Sequence, residues 1–586
     1  MTTPLDARVA SRRSRTMEAL ALLALAVVPL LPSLRAAFVY DDTTIIRDNV
    51  LLRGWGALVH VWSQPYWPGD GVDALGLYRP LHVALLATVW NITGGAPIWF
   101  HLYALLLHAA TTCAVWWLLR RGVGRVAAFA GAAWFATQPL HVEAVASVAN
   151  TSELLVSLCM VALVAVLAAR APVRLGADLG RAALVGALAA AALAAKESGL
   201  LALPLAALTV WGWSAPPADD MPSVHRTLTS VRAWSAAVVC ITAVLLARLV
   251  VLGAPVSHAS IAAQGLSGMS TAARETAMVS LWPRIAAMLA WPTDLSPYYG
   301  PTTFPGRAMA FALLGGVGAL ALLALALVEA RKGDRRPLVA LGWVALTYLP
   351  ASNLLTPTGQ ILADRTLFGA TVGAALAVSW AIDRLSLPGR RAALVLIAVV
   401  SARNAISGAH YAVAWTSHRA LWTRLAEVSP DEHLSYKLLG MDARARGDTA
   451  RALPLLTRAL AMAPTDRQIR FELGQAQYAA RHYAAASATL APLLHDTDAR
   501  SERGFVALYL DAVGRSGGPA AVVRAASPLL HSETAAVAAL FLGVAQEQLG
   551  DTAAAEASYR AGLAHTPGDT TLQRLSRSLR RRSSGQ

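Results

Sequence analysis

Long stretches of the chain carry no charged residue at all, among them Ser198 to Ala218, Ala308 to Val328 and Pro337 to Ala363. A helix needs about 20 consecutive apolar residues to cross a bilayer, so each run is long enough for one span. The totals agree. Of 586 residues, 56% are hydrophobic and 15% are charged, where soluble domains carry about a quarter. The long uncharged stretches lie before residue 411, and beyond it Arg and Asp/Glu are interspersed as on ordinary soluble helices. The sequence therefore predicts an all-α chain in two parts, a polytopic transmembrane helical domain over 1–410 and a soluble domain over 411–586.

A net charge of +15 raises the question of a nucleic-acid partner, and its distribution argues against one. The excess lies in short Arg clusters between apolar runs, as membrane orientation requires. Lys196, Lys332 and Lys437 are the only lysines. The Ala- and Arg-rich usage predicts a bacterial, GC-rich genome and hence a bacterial inner membrane. Cys113, Cys159 and Cys240 sit in apolar segments at wide spacing, which supports neither a disulfide framework nor a zinc site.

Basic clusters recur at the N-terminus and at Arg120–Arg125, Arg170–Arg181, Arg226–Arg232, Arg331–Arg336 and Arg384–Arg391. With all of them on the cytoplasmic side, spans fall near 17–34, 99–119, 126–142, 152–169, 182–196, 199–213, 234–253, 308–330, 338–356, 363–382 and 392–409. About eleven crossings starting inside leave the C-terminal domain outside the cytoplasm. Three outer segments result: a first loop over 35–97, the stretch 253–307 with a surface helix near Met278–Leu289, and the turn 350–360.

The soluble part repeats itself. Leu439-Gly440, Leu473-Gly474 and Leu542-Gly543 recur at 34 and 69 residues. Each glycine is followed twelve residues on by Ala452, Ala486 or Ala555, and four further on by Leu456, Leu490 or Tyr559. Pro464 and Pro567 close the first and last units. This is the tetratricopeptide (TPR) pattern of paired helices in an α-solenoid, with repeats near 433–466, 467–500, 501–535 and 536–569. Such arrays bind polypeptide segments on a concave face, so scaffolding alone is one function they could serve.

Charges that the membrane part cannot avoid mark the candidate chemistry. Asp41 and Asp42 follow the first apolar run directly. One of them could take a proton from an acceptor hydroxyl, or the two could hold a divalent cation such as Mg2+ or Mn2+; helix capping and solvation would also explain them. Arg79, in Tyr78-Arg79-Pro80, can pair with a phosphate or a carboxylate, or snorkel at the interface. Lys196-Glu197 interrupts an uncharged run, either to hold a lipid-linked phosphate or as a self-neutralising turn. Asp364-Arg365 opens a span, and Arg365 could neutralise charge developing on a phosphate leaving group, or simply pair with Asp364. His101 and His108 share a helix face and read as packing residues. His141 and Glu143, two apart, do not share a helical face and are not a metal pair. No P-loop, GxSxG, HExxH or dinucleotide fingerprint stands in a fitting context.

These pieces resemble, in order along the chain, the transmembrane and TPR-repeat-containing O-mannosyltransferases of the C-type polytopic glycosyltransferase superfamily. The matching stretches are Phe38–Asp42, Tyr78-Arg79-Pro80-Leu81, Gln138–Val145 with Ser152-Glu153-Leu154-Leu155, Ala195–Gly199, Pro292–Tyr299 and Ser352–Phe368, followed by the repeats. Gln138 and Asp364 depart from the His and Glu often found there. The resemblance implies a polyprenyl-phosphate sugar donor, typically mannose, at the outer face and a single inverting displacement. Asp41 or Asp42 would act as base, Arg365, Lys196 and Arg79 would hold the donor phosphate, and Glu197, His141, Glu143 and Asp364 would support them. The TPR domain would guide a protein or peptide acceptor. A glycan- or lipid-modifying transferase and a non-catalytic membrane scaffold are the alternative readings.

Overall fold

The structure, a computed structural model, describes residues 4–68, 76–169, 174–213, 223–253, 263, 265–495 and 503–583, with side chains left aside for 4–13, 223–226 and 583. Arg170, which opens one basic cluster, part of the 253–307 loop and the junction of the second and third repeats at 496–502 lie outside the described residues. Every regular element among the described residues is helical.

Two compact units divide between Val428 and Ser429, somewhat beyond the 410/411 boundary expected from composition. In the first, eight helices are long and apolar enough to cross a membrane: Ser14–Arg35, Pro97–Gly122, Val148–Leu167, Leu175–Ala195, Thr227–Leu252, Ala308–Arg331, Asp364–Arg384 and Leu387–Ala414. The other three of the eleven expected spans correspond to shorter helices, at Arg125–Ala136, Glu197–Gly212 and Arg336–Tyr348. Their shortness has visible causes. Thr137-Gln138-Pro139 ends the first, because proline disfavours helical geometry in the residue before it, and Pro350 limits the last. The surface helix expected over 278–289 is two helices, Thr271–Val279 and Trp282–Ala290, with a break ahead of Pro283.

The turn that carries Lys196 is set by one close approach. A Cβ on Gly199 would lie 2.2 Å from the carbonyl carbon and oxygen of Ala192, so only glycine lets the chain fold back at the end of the Leu175–Ala195 helix. The backbone of Lys196 is extended there, and its side chain leaves the helix axis.

The second unit is a row of helix pairs: His433–Ala445 with Thr449–Met462, Arg467–Ala479 with Tyr483–Leu490, and Ala535–Gln548 with Thr552–His565. Between the last two, Arg503–Ala526 breaks at Gly518 (φ 72°) ahead of Pro519, giving a further pair. The periodic residues meet as their spacing requires. A Cβ on Gly440, Gly474 or Gly543 would reach within 2.6, 2.5 and 2.3 Å of Leu456, Leu490 and Tyr559 respectively. Ala452, Ala486 and Ala555 are fully buried. Asp448, Asp466 and Asp551 cap the following helices by accepting backbone N–H bonds at 3.2, 3.0 and 2.9 Å, which satisfies donors the helix start leaves open. The terminal helix Thr570–Ser583 covers the last pair with Leu572 and Leu579, and its Arg580 and Arg582 reach Glu556 and Glu547 at 2.9 and 2.7 Å.

Candidate active site

The chain leaves the first span through Ala36–Val39 and bends sharply at Tyr40, whose φ of +54° is a conformation that side chains with a Cβ rarely adopt. That bend presents the two aspartates in different directions. Asp42 is fully buried. Its carboxylate accepts hydrogen bonds from the Ala149 N–H (2.7 Å), the Val148 N–H (3.2 Å) and the Ser147 hydroxyl (3.3 Å). Both oxygens are thus spent on tying the first outer loop to the segment ahead of the Ser152–Leu167 helix. Burial pushes this carboxyl up to about 7, although the N–H donors oppose the shift.

Asp41 is different. It is half-buried and accepts no hydrogen bond from any described residue. Burial raises its pKa, while Arg365 and then Arg79 lie close enough to favour its anion. Asp41 is therefore the one carboxylate here that is both flanked by cations and open to a new partner.

Each flanking cation has a fixed counter-ion. The Arg365 guanidinium donates from Nη1 to Glu143 Oε1, and the Arg365 backbone N–H donates to Glu143 Oε2 at 2.9 Å. Arg79 donates from Nε to Glu197 Oε2 at 3.0 Å, with its Nη2 at 2.9 Å from the same oxygen. Arg79 also lies over the Tyr66 ring, 4.7 Å from its centroid. Lys196 pairs with Glu153 rather than with its neighbour Glu197. Arg365 Nε and Nη2 and Arg79 Nη1 have no hydrogen bond to any described residue. A planar guanidinium held on one edge and open on the other is suited to a phosphate oxygen.

Asp364, next to Arg365, turns away from it. It is fully buried and accepts from the hydroxyls of Tyr299 (2.6 Å) and Tyr411 (3.1 Å). So neither Asp364-Arg365 nor Lys196-Glu197 is a self-neutralising pair; in each, both charges find partners elsewhere.

Residues 443–503 match the family described as tetratricopeptide repeat. The protein O-mannosyl-transferase Tmtc3 of Drosophila melanogaster is 24% identical over 527 residues, which cover 78% of this chain and 56% of that protein. TMTC3 of Homo sapiens, also a protein O-mannosyl-transferase by name, is 22% identical over 479 residues, covering 76% and 51%. Drosophila Tmtc1 is 34% identical over a shorter stretch of 188 residues, 32% of this chain and 22% of that protein. The chain is thus similar, over most of its own length, to proteins named as protein O-mannosyl-transferases, and its repeats match the tetratricopeptide model. It spans about half the length, or less, of the curated relatives it matches. With its long apolar helices, the protein is an integral, multi-pass membrane protein.

Of the residues the sequence singled out, the structure brings Asp41, Arg79, Arg365, Glu143 and Glu197 into one electrostatic neighbourhood, and Lys196 joins it through Arg79. His141 stands apart from it. Its ring packs 4.4 Å from Phe368, 4.6 Å from Phe135 and 5.1 Å from His108, and its Nε2 shares a hydrogen bond with the Thr371 hydroxyl at 2.8 Å. That is a place in an aromatic core. Among the described residues no group of three or more His, Cys, Asp or Glu side chains is placed to hold a metal ion, and both Asp42 oxygens already accept hydrogen bonds. Arg248 was not foreseen: it reaches Glu197 at 3.6 Å and donates to the Gly76 carbonyl at 2.5 Å. It lies within an apolar span of the sequence, where a charge near the helix end was itself the available signal.

Proposed function

We propose that this chain is a glycosyltransferase that moves a sugar from a polyprenyl-phosphate donor to a hydroxyl of a protein acceptor at the outer membrane face. The names of its relatives favour mannose. The observation that carries this reading is Asp41, an open carboxylate between two half-satisfied guanidiniums and beside a sister aspartate that is fully engaged. In the transfer, the acceptor hydroxyl gives its proton to Asp41 as its oxygen attacks the anomeric carbon. The bond from that carbon to the phosphate oxygen breaks, and the electron pair leaves with the polyprenyl phosphate. The open edges of Arg365 and Arg79, with Lys196 nearby, meet the charge that develops on the leaving phosphate. Attack opposite the leaving group inverts the anomeric configuration. Asp42 positions Asp41 by anchoring the loop, and the repeat domain guides the acceptor.

Membranes holding the chain, incubated with labelled polyprenyl-phosphate mannose and an acceptor protein, test this. Asp41→Asn keeps the shape and removes the base, so transfer should fall by about 10² to 10⁴ while insertion and thermal stability are unchanged. Full transfer by Asp41→Asn would overturn the assignment, and label appearing on lipid or glycan instead of protein would change the acceptor.

The proposed topology has its own test. If the three shorter helices cross along with the eight long ones, the two ends lie on opposite sides, and a reporter fused after Gln586 works only outside the cytoplasm. A reporter active only in the cytoplasm would sink the outer-face placement.

A further inference from the structure

Where the Leu387–Ala414 helix ends and the His418–Val428 helix begins, the first unit forms an open cavity of about 960 Å³. This is at the upper end of small-ligand sites. One face of the long helix lines it with Arg403, Ile406, His410 and Tyr411, and the short helix adds Arg419 and Arg424; Asp294 and Glu427 are its acids. The arginines are poorly spent. Arg424 Nε is buried without a partner, and Nη1 of the same side chain is 3.9 Å from Glu427. Arg419 is exposed and bonds to no described residue. Arg403 reaches Asn404 at 3.0 Å and lies over the Trp291 ring. A buried guanidinium nitrogen left without an acceptor costs free energy, which an anionic ligand would recover.

The cavity wall belongs to a helix that qualifies as a membrane span, and Ile406 and Val413 on it are 63% and 52% exposed. Apolar surface of that kind beside arginines matches a molecule with hydrocarbon on one side and an anion on the other. We infer that this cavity binds the phosphate of an anionic phospholipid, with Arg419 and Arg424 on the headgroup and Ile406 and Val413 against the acyl chains. An acidic peptide could satisfy the arginines but would leave the apolar strip uncovered. The site is separate from the Arg365 and Arg79 cluster, and the inference does not rest on the transferase reading. Tyr411 lines the cavity while its hydroxyl donates to Asp364, so an occupant packs against a residue that holds the sequence neighbour of Arg365.

Native mass spectrometry of the full chain in detergent, titrated with phosphatidylglycerol, phosphatidylcholine or inorganic phosphate, tests the inference. Phosphatidylglycerol should be retained more tightly than phosphatidylcholine. Arg419→Gln/Arg424→Gln should weaken it about tenfold or more, the loss expected for charge-assisted hydrogen bonds. Arg424→Lys should restore part of the binding, and Arg419→Gln alone, a surface change, serves if the double variant does not fold. Equal retention by wild type and variant, or no preference over phosphatidylcholine, would overturn the site. So would competition by inorganic phosphate or by an acidic peptide at concentrations where the lipid is already displaced.

Discussion

In the repeat unit, several ion pairs lie on exposed helix faces and join residues only a few positions apart. Arg446 reaches Asp442, Arg515 reaches Asp511 and Arg560 reaches Glu556, each one helical turn apart. In the membrane unit the site charges are few and buried, and their partners are distant in the chain: Lys196 with Glu153, Asp42 with Val148 and Ala149, Arg79 with Glu197, Arg365 with Glu143. The physics differs accordingly. An exposed pair exchanges one set of hydrated neighbours for another and contributes about 0.3–0.5 kcal/mol. A buried pair contributes little net stability over an apolar replacement, yet removing one partner strands the other in a low-dielectric site at a cost of about 3–5 kcal/mol. Charges kept under those conditions are held for specificity of geometry, and here that geometry surrounds Asp41.

That contrast is open to direct measurement. Glu143→Ala leaves the Arg365 guanidinium and backbone N–H without their acceptor, and should lower stability by about 3–5 kcal/mol, seen as a large fall in melting temperature of the purified chain. Arg560→Ala, which breaks only the exposed pair with Glu556, should change it by about 0.5 kcal/mol at most. Equal effects at the two sites would erase the distinction between the units. A double change that removes Glu143 and Arg365 together should recover part of the stability while abolishing transfer, because no buried charge is then stranded.

A smaller effect separates Arg79 from a merely structural residue. Arg365 and Arg79 oppose the upward shift that burial imposes on Asp41. If Asp41 is the base, it works in its ionised form, so transfer should fall as pH drops through the Asp41 titration. Removing a cation that favours the anion raises that pKa further, and Arg79→Gln should move the acid limb of the pH–rate profile to higher pH by about one unit. Loss of rate with an unmoved limb would mean that Arg79 acts only on the donor or on Glu197.

How much of this was legible beforehand follows from the same contrast. The repeat contacts could be read from spacing, since Gly440 and Leu456, Gly474 and Leu490, or Gly543 and Tyr559 are sixteen residues apart and meet because helix geometry is periodic. Apolar runs showed where membrane helices lie but not how long they are, because Pro139 and Pro350 end helices inside runs that hydropathy alone reads as continuous. Residue type marked Asp41, Asp42, Arg79, Lys196 and Arg365 as charges in costly places. It could not assign their partners. Asp41 and Asp42 are adjacent and identical in kind, and only the left-handed turn at Tyr40 and the N–H groups of Val148 and Ala149 make one an anchor and leave the other open. Neighbouring opposite charges invited mutual neutralisation at Lys196-Glu197 and Asp364-Arg365, and tertiary packing overrode it in both.

A small effect of the opposite sign lies where the repeat unit departs from its own pattern. The turns between paired helices place Gly447 at φ +77° and Gly550 at φ +84°, and the equivalent position in the second repeat is Arg481 at φ +63°. A residue with a Cβ in that conformation costs about 1–2 kcal/mol relative to the right-handed one, a cost glycine does not bear. Arg481 contributes its backbone N–H to the Tyr478 carbonyl at 2.9 Å, which glycine would keep. Its exposed side chain bonds to no described residue, so nothing is lost with it. Against the relief stands the greater freedom of glycine in the unfolded chain, about 0.5–1 kcal/mol. Arg481→Gly should therefore stabilise the second repeat by up to about 1 kcal/mol, read as slower hydrogen exchange over 467–490 in the full chain. The reverse change, Gly447→Arg, should destabilise the first repeat by a similar amount. If Arg481→Gly instead speeds exchange, the guanidinium is engaged by a partner in the working protein, and this turn becomes the place to look for where an acceptor touches the repeats.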